Sequence, residues 1–215
     1  MSRLVIGKTN IYHKSYKAFI FVVKNDTMPA ENLYFIALIP PDAIAGEVTE
    51  FRNDFALNYN SKAALKNMPH ITLKAPFKIE AAKHNEVVDW FANLPIGGKP
   101  FEVTLKDFDR FDNPKNPVVF VHPVVTDEMS IVQKMVVDGF EEAFPNIALH
   151  FTERNFKPHM TIAYRDLSYT EFEKAWQVYQ DKKYNATFLA DRIYLLKHNG
   201  TEWLVAAERL LALSS

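Results

Sequence analysis

The sequence predicts an α+β protein made of two similar halves that face each other across a central groove. Three observations indicate this fold: apolar strand-like runs alternate with amphipathic helical segments, this alternation occurs twice, and each half contains one Pro-His-apolar-Thr tetrad. We expect a pseudo-twofold axis between the halves, each with an antiparallel-rich sheet and helices. The predicted domain is bilobal and covers residues 33–215, with lobes at about 33–110 and 118–211, and residues 1–32 form an N-terminal extension.

The first half is predicted to run strand, helix, strand, helix, strand. Residues 33–39 are apolar and end at two prolines, as a buried strand does. The following segment has apolar residues at helical intervals, with Asp42 as a plausible N-cap. The five predicted elements of this half are residues 33–39, 43–57, 70–77, 81–94 and 101–108.

The second half repeats this order. Its predicted elements are residues 118–125, 127–144, 159–164, 170–179 and 186–197, followed by a closing strand at 203–211 after an Asn-Gly hairpin turn. Matching elements keep a nearly constant separation: Leu33 lies 85 residues before Val118, and His70 lies 89 residues before His159. This regular offset favours an internal duplication over an accidental alternation of helices and strands.

Composition excludes several classes of function. Apolar residues make up 48% of the 215 residues, which is enough for a substantial core. The absence of cysteine removes disulfides, thiolate catalysis and cysteine-based zinc sites, and it favours a cytoplasmic protein. A net charge of −1 argues against a sequence-blind binder of duplex DNA. No membrane span or signal peptide is expected, and we predict a monomer.

The two tetrads are Pro69-His70-Ile71-Thr72 and Pro158-His159-Met160-Thr161. Composition alone would produce about 0.4 His-x-Thr triplets by chance, so a single copy would mean little. A third triplet, at residues 150–152, lacks the preceding proline and falls outside the repeat offset. We therefore interpret it as the chance copy and the two tetrads as a matched pair.

The residue types of the tetrads suit phosphoester chemistry. Residues i and i+2 of a strand share a face, so each histidine should lie beside its threonine. Histidine can act as an acid or a base near neutral pH, and two imidazoles can divide these roles. Threonine hydroxyls can donate hydrogen bonds to phosphate oxygens. No third ligand accompanies the histidines at metal spacing, so we predict neither a metal nor another cofactor.

Other polar and aromatic residues near the tetrads are secondary candidates. By the same period of two, Lys74 shares the face of His70 and Arg165 shares the face of His159, so both are candidates for substrate binding or for an ordinary rim position. Tyr164 should point the opposite way unless a bulge turns it into the groove. The connecting segment 108–117 contains aromatic and basic side chains that could stack on a base, although a plain connector is the simpler interpretation.

The two motif regions resemble those of the two-histidine (2H) phosphoesterase superfamily, and in particular its 2′-5′ RNA ligase-like branch. The resemblance rests on Met68–Phe77 and Lys157–Ala163 and extends over residues 33–211. It implies a bilobal α+β fold and hydrolysis of 2′,3′-cyclic phosphates, or 2′-5′ linkage chemistry, on RNA ends or small nucleotides. The implied roles are acid and base for His70 and His159, and phosphate binding for their threonines.

Three kinds of function remain open from the sequence. The first is a phosphodiesterase, whose chemistry run in reverse would join RNA ends. The second is a module that binds a phosphate or RNA end without turnover. The third is a structural domain in which the tetrads are only strand ends.

Overall fold

The computed structural model describes residues 30–97 and 99–211, which form eight strands and four α-helices. The predicted α+β class is confirmed. Of the predicted extension, residues 1–29 lie outside the described part of the chain. The strands are β1 (Glu31–Leu38), β2 (Ile71–Glu80), β3 (Phe101–Phe111), β4 (Val118–Pro123), β5 (Met160–Ala163), β6 (Asn185–Ala190), β7 (Arg192–His198) and β8 (Trp203–Leu210). The helices are α1 (Asp42–Asn58), α2 (His84–Ala92), α3 (Asp127–Ala143) and α4 (Tyr169–Tyr179).

The strands form two four-stranded antiparallel sheets that do not follow the two halves of the sequence. Their orders are β2-β1-β7-β8 and β5-β4-β3-β6. The last strand of the first half, β3, therefore joins the second sheet, whereas β7 and β8 join the first. The boundary between the predicted lobes, 33–110 and 118–211, therefore does not separate the strands of one sheet from those of the other. By sheet position, β3 corresponds to β7 rather than to β6.

The prediction of one strand over residues 186–197 is wrong. The chain forms β6 and β7 instead, and it passes from one sheet to the other at Asp191. The carbonyl of Asp191 accepts a hydrogen bond from Leu211, and its carboxylate binds Arg192. The β-forming residues are interrupted here only by Ala190, Asp191 and Arg192, and so short a break does not reveal that the strands on its two sides have different partners.

The first helix of each half packs against the opposite sheet. Helix α1 contacts β5, and α3 contacts β2. One continuous apolar cluster therefore joins both sheets and the helices. No helix in residues 30–97 and 99–211 has the length and hydropathy needed to cross a bilayer.

Two of the expected helix starts differ in detail. Pro41 precedes α1 without a capping side chain, and Asp42, the predicted cap, is instead the first helical residue. Helix α4 is capped by Ser168, whose hydroxyl accepts a bond from the Glu171 amide at 3.3 Å. The helix thus begins at Tyr169, one residue before the predicted start at residue 170.

The motif strands β2 and β5 each contain a β-bulge immediately after the threonine. In β2, Thr72 pairs with Ala37 and Lys74 with Ile36, which leaves one extra residue between them. In β5, the extra residue is Ile162. A bulge shifts the alternation of side chains, so residues beyond it change face. The equal position of the two bulges is a second sign of the internal repeat.

Candidate active site

The two tetrads meet in a single groove of about 440 Å³. His70, Thr72, His159 and Thr161 all line it, as their spacing predicts. The residues between them, Ile71 and Met160, are fully buried on the core side. The remaining polar and aromatic residues of the groove include Phe35, Arg52, Lys66, Asn67, Tyr164, Arg165, His198 and Trp203.

Both motif histidines are held in the same way by the backbone. The Nδ1 atom of His70 lies 2.8 Å from the carbonyl oxygen of Met68, and that of His159 lies 2.8 Å from the carbonyl oxygen of Lys157. A carbonyl oxygen can only accept, so each Nδ1 must carry the proton. In the neutral ring, Nε2 is therefore the free base, available for proton transfer.

An aromatic ring of the neighbouring strand supports each motif histidine. Phe35 on β1 lies 4.8 Å from His70, and Phe120 on β4 lies 5.6 Å from His159, measured between ring centroids. These two phenylalanines are 85 residues apart, which is the offset of the sequence repeat. Phe111, the last residue of β3 and part of the predicted connecting segment 108–117, also supports His159, with 5.1 Å between the ring centroids.

The surroundings lower the pKa of both imidazoles. Burial lowers the pKa of His70 to about 4, and the charges of Arg52 and His159 act in the same direction, against the bond to the Met68 carbonyl. Burial also lowers the pKa of His159, and the bond to the Lys157 carbonyl opposes that shift. Both rings are thus neutral at pH 7 in the free protein. A bound anion would raise both pKa values, because it stabilises the imidazolium form.

Arg52 joins the two motif regions and is not among the site residues predicted from the sequence. It lies on α1, is 2% exposed, and donates from Nε and Nη2 to the carbonyl oxygen of Thr161 at 3.0 and 2.8 Å. Its Nη1 donates to the carbonyl of Asn67 at 2.5 Å. An arginine at helical spacing between the buried Val48 and Phe55 was the available signal.

Lys74 does not line the groove, so the prediction that it shares the face of His70 is wrong. The bulge after Thr72 turns it into the core, where it is 1% exposed. Its Nζ lies 2.8 Å from Glu153 Oε1 and 4.1 Å from the centre of the Phe140 ring. The bulge breaks the period of two on which that prediction depended.

Arg165 lines the groove. Tyr164 also lines it, because the bulge in β5 turns its side chain toward the groove, which is the alternative that the sequence left open. The Tyr164 hydroxyl accepts a bond from Asn67 Nδ2 at 2.9 Å, and the guanidinium of Arg165 lies 5.0 Å from the tyrosine ring. Arg165 has a φ of 59°, in the left-handed region that non-glycine residues seldom adopt. Asp166 accepts bonds from the Lys62 amide and two neighbours, and so fixes the loop at this side of the groove.

The third His-x-Thr triplet lies outside the groove. It spans the start of a 3-10 turn (Phe151–Glu153), and His150 Nδ1 lies 2.7 Å from Thr152 Oγ1. Among residues 30–97 and 99–211, no three His, Asp or Glu side chains are grouped as a metal site would require. The absence of a metal in catalysis remains a prediction.

Comparison with known proteins agrees with the class that the fold and the groove define, a two-histidine phosphoesterase. A sequence model of the 2′-5′ RNA ligase superfamily matches residues 40–202, and the chain belongs to this family. A Staphylococcus aureus protein named "Putative phosphoesterase" is 30% identical over 139 residues, which are 64% of this chain and 73% of that protein. A relative of the same name from Oceanobacillus iheyensis is 25% identical over 80% of this chain and 94% of its own length.

Solved structures show the same fold. Escherichia coli LigT, crystallised with 3′-AMP, matches 85% of this chain and 99% of its own, with a TM-score of 0.62 and 16% identity. The protein TT0787 of Thermus thermophilus matches 85% of this chain and 100% of its own, with a TM-score of 0.59 and 16% identity.

Proposed function

We propose that the protein is a metal-independent phosphodiesterase that hydrolyses 2′,3′-cyclic phosphates, or related 2′-5′ phosphodiesters, in RNA ends or small nucleotides. The observation that carries this proposal is the matched pair of imidazoles in one groove, each with Nδ1 bound to a backbone carbonyl and Nε2 left free. Each histidine also has its own threonine hydroxyl in the groove. Family membership supports phosphoester chemistry, and the nucleotide bound to LigT supports a nucleotide-like substrate.

In the proposed reaction, water attacks phosphorus and the bond from phosphorus to one ribose oxygen breaks. One Nε2 takes the proton that water loses, and the protonated Nε2 of the other histidine gives its proton to the departing oxygen. The product is a ribose monophosphate with one free hydroxyl, and the two rings have exchanged protonation states. The hydroxyls of Thr72 and Thr161 donate to the non-bridging oxygens, where negative charge accumulates.

We assign the base to His70 and the acid to His159. Burial lowers the pKa of both rings, and for His70 the guanidinium of Arg52 adds to this lowering. His159 is therefore the ring that takes up a proton from solvent first when a bound phosphate stabilises the imidazolium form. Joining a 2′,3′-cyclic end to an RNA hydroxyl would use the same roles, with that hydroxyl in place of water as the nucleophile.

A substrate screen with and without chelator tests this function. We expect hydrolysis of nucleoside 2′,3′-cyclic phosphates, followed by separation of the 2′- and 3′-monophosphate products, to proceed equally fast in excess EDTA. Full loss of activity in EDTA that returns with added divalent metal would contradict the proposal. Binding of the cyclic phosphate without turnover over hours would instead identify a binding module.

A further inference from the structure

A second cavity, of about 360 Å³, adjoins the groove and shares Thr72 and His159 with it. We call it the aromatic pocket, because Phe111, Phe151 and Phe156 line it. Its size falls within the range of small-ligand sites. A phosphate bound by the motif residues would lie where the groove and the second cavity meet. The two ester substituents of a phosphodiester bound there can therefore extend into different cavities.

The aromatic pocket has an exposed ring on a firmly anchored segment. Phe151 is 81% exposed, at the start of the 3-10 turn. Glu153, at the end of this turn, pairs with Lys74 and accepts a bond from the Ala75 amide at 2.9 Å. A buried ion pair is costly unless its geometry and hydrogen bonds compensate for lost hydration. These contacts fix the turn, so that the aromatic side chain of Phe151 stays exposed to solvent at the edge of the pocket.

Gln133 places a polar group in the same pocket. It is 5% exposed and lines the cavity. Both hydrogen bonds that its side chain makes within the described residues come from Nε2, to the carbonyl oxygens of Glu153 at 3.0 Å and Leu73 at 3.4 Å. These bonds fix the amide so that Oε1 remains an acceptor for a ligand donor. Asn155 and Lys157 add further polar groups to the lining.

We propose that the aromatic pocket binds the base of a second nucleoside in a 2′-5′-linked diester. This inference rests on the proposed function, and it adds a subsite that a cyclic mononucleotide, with its single nucleoside, leaves empty. Aromatic rings with a few polar groups are the usual surroundings of an unpaired base. The acceptor of Gln133 favours a base with an exocyclic amine, such as adenine.

Affinity measurements on a chain that cannot turn over test this subsite separately from catalysis. In a His70→Asn, His159→Asn background, Phe151→Ala should weaken binding of 2′-5′-linked ApA by about 5- to 160-fold, the range expected for loss of one base–aromatic stack. Binding of 2′,3′-cyclic AMP should change less than about twofold. Phe151→Tyr, which keeps the ring, is the matched control and should bind both ligands like the background protein.

The subsite is overturned if Phe151→Ala weakens both ligands equally, if it weakens neither, or if ApA does not bind. Unchanged melting temperatures exclude misfolding, which is not expected at so exposed a position. Hydrolysis by the wild-type protein is assayed in parallel. Absence of hydrolysis refutes the proposed function, whereas the affinity ratio still decides the subsite.

Discussion

Replacement of either His70 or His159 by asparagine will lower the turnover of a 2′,3′-cyclic phosphate by at least about 100-fold. The asparagine amide can still donate to the carbonyl that now receives Nδ1–H, so the local backbone contact is kept. The part of the ring that carries Nε2, the atom that exchanges protons, is lost. Initial rates at saturating substrate, with circular dichroism to verify folding, measure the effect.

The third triplet provides a matched control. His150→Asn changes a histidine in the same His-x-Thr context, but it lies outside the groove, and we expect its rate to stay within about twofold of wild type. A normal rate in either motif variant would refute the two-histidine mechanism. Equal losses in all three variants would indicate a general effect on the fold.

Substitution of Lys74 by methionine will lower the free energy of unfolding by about 3–5 kcal/mol, because it leaves the buried carboxylate of Glu153 without its counterion. The remaining bonds from the Ala75 and His150 amides do not replace that charge. Methionine fills a similar volume, so the loss reports electrostatics more than packing. Urea unfolding at pH 7 measures the change.

A double-mutant cycle isolates this buried pair. Glu153→Gln should also be destabilising, and the combination with Lys74→Met should cost less than the sum of the two single changes. Lys134→Met is the surface control: its partner Asp138 is exposed, and the expected cost is below about 1 kcal/mol. Additive losses at the buried pair, or a Lys74 effect as small as that of the control, would contradict our account of the ion pair.

The sequence was sufficient for the local part of the candidate site. Each His-x-Thr is a two-residue relation on one strand, so the common face of His70 and Thr72 follows from strand geometry. The repeat offset then paired this motif with His159. The offset also relates Phe35 to Phe120, although the roles of these two residues became clear only from their contacts.

The features that could not be predicted from the sequence depend on contacts between residues that are distant along the chain. The bulge that buries Lys74 arises from the register of β2 against β1, and the residues of β2 alone do not predict it. The same holds for the change of sheet at Asp191. Arg52 is 15 and 109 residues away from the carbonyl groups that it binds, so only the packing of α1 against β5 reveals its role.

Histidine titration by NMR decides whether the two imidazoles share one bound phosphate. In the free protein, the pKa of His70 should be near 4 and that of His159 below its usual value. Saturation with a nucleoside 2′-monophosphate should raise both pKa values along one binding curve, with His159 the higher of the two. A response of only one ring, or of neither, would contradict the account.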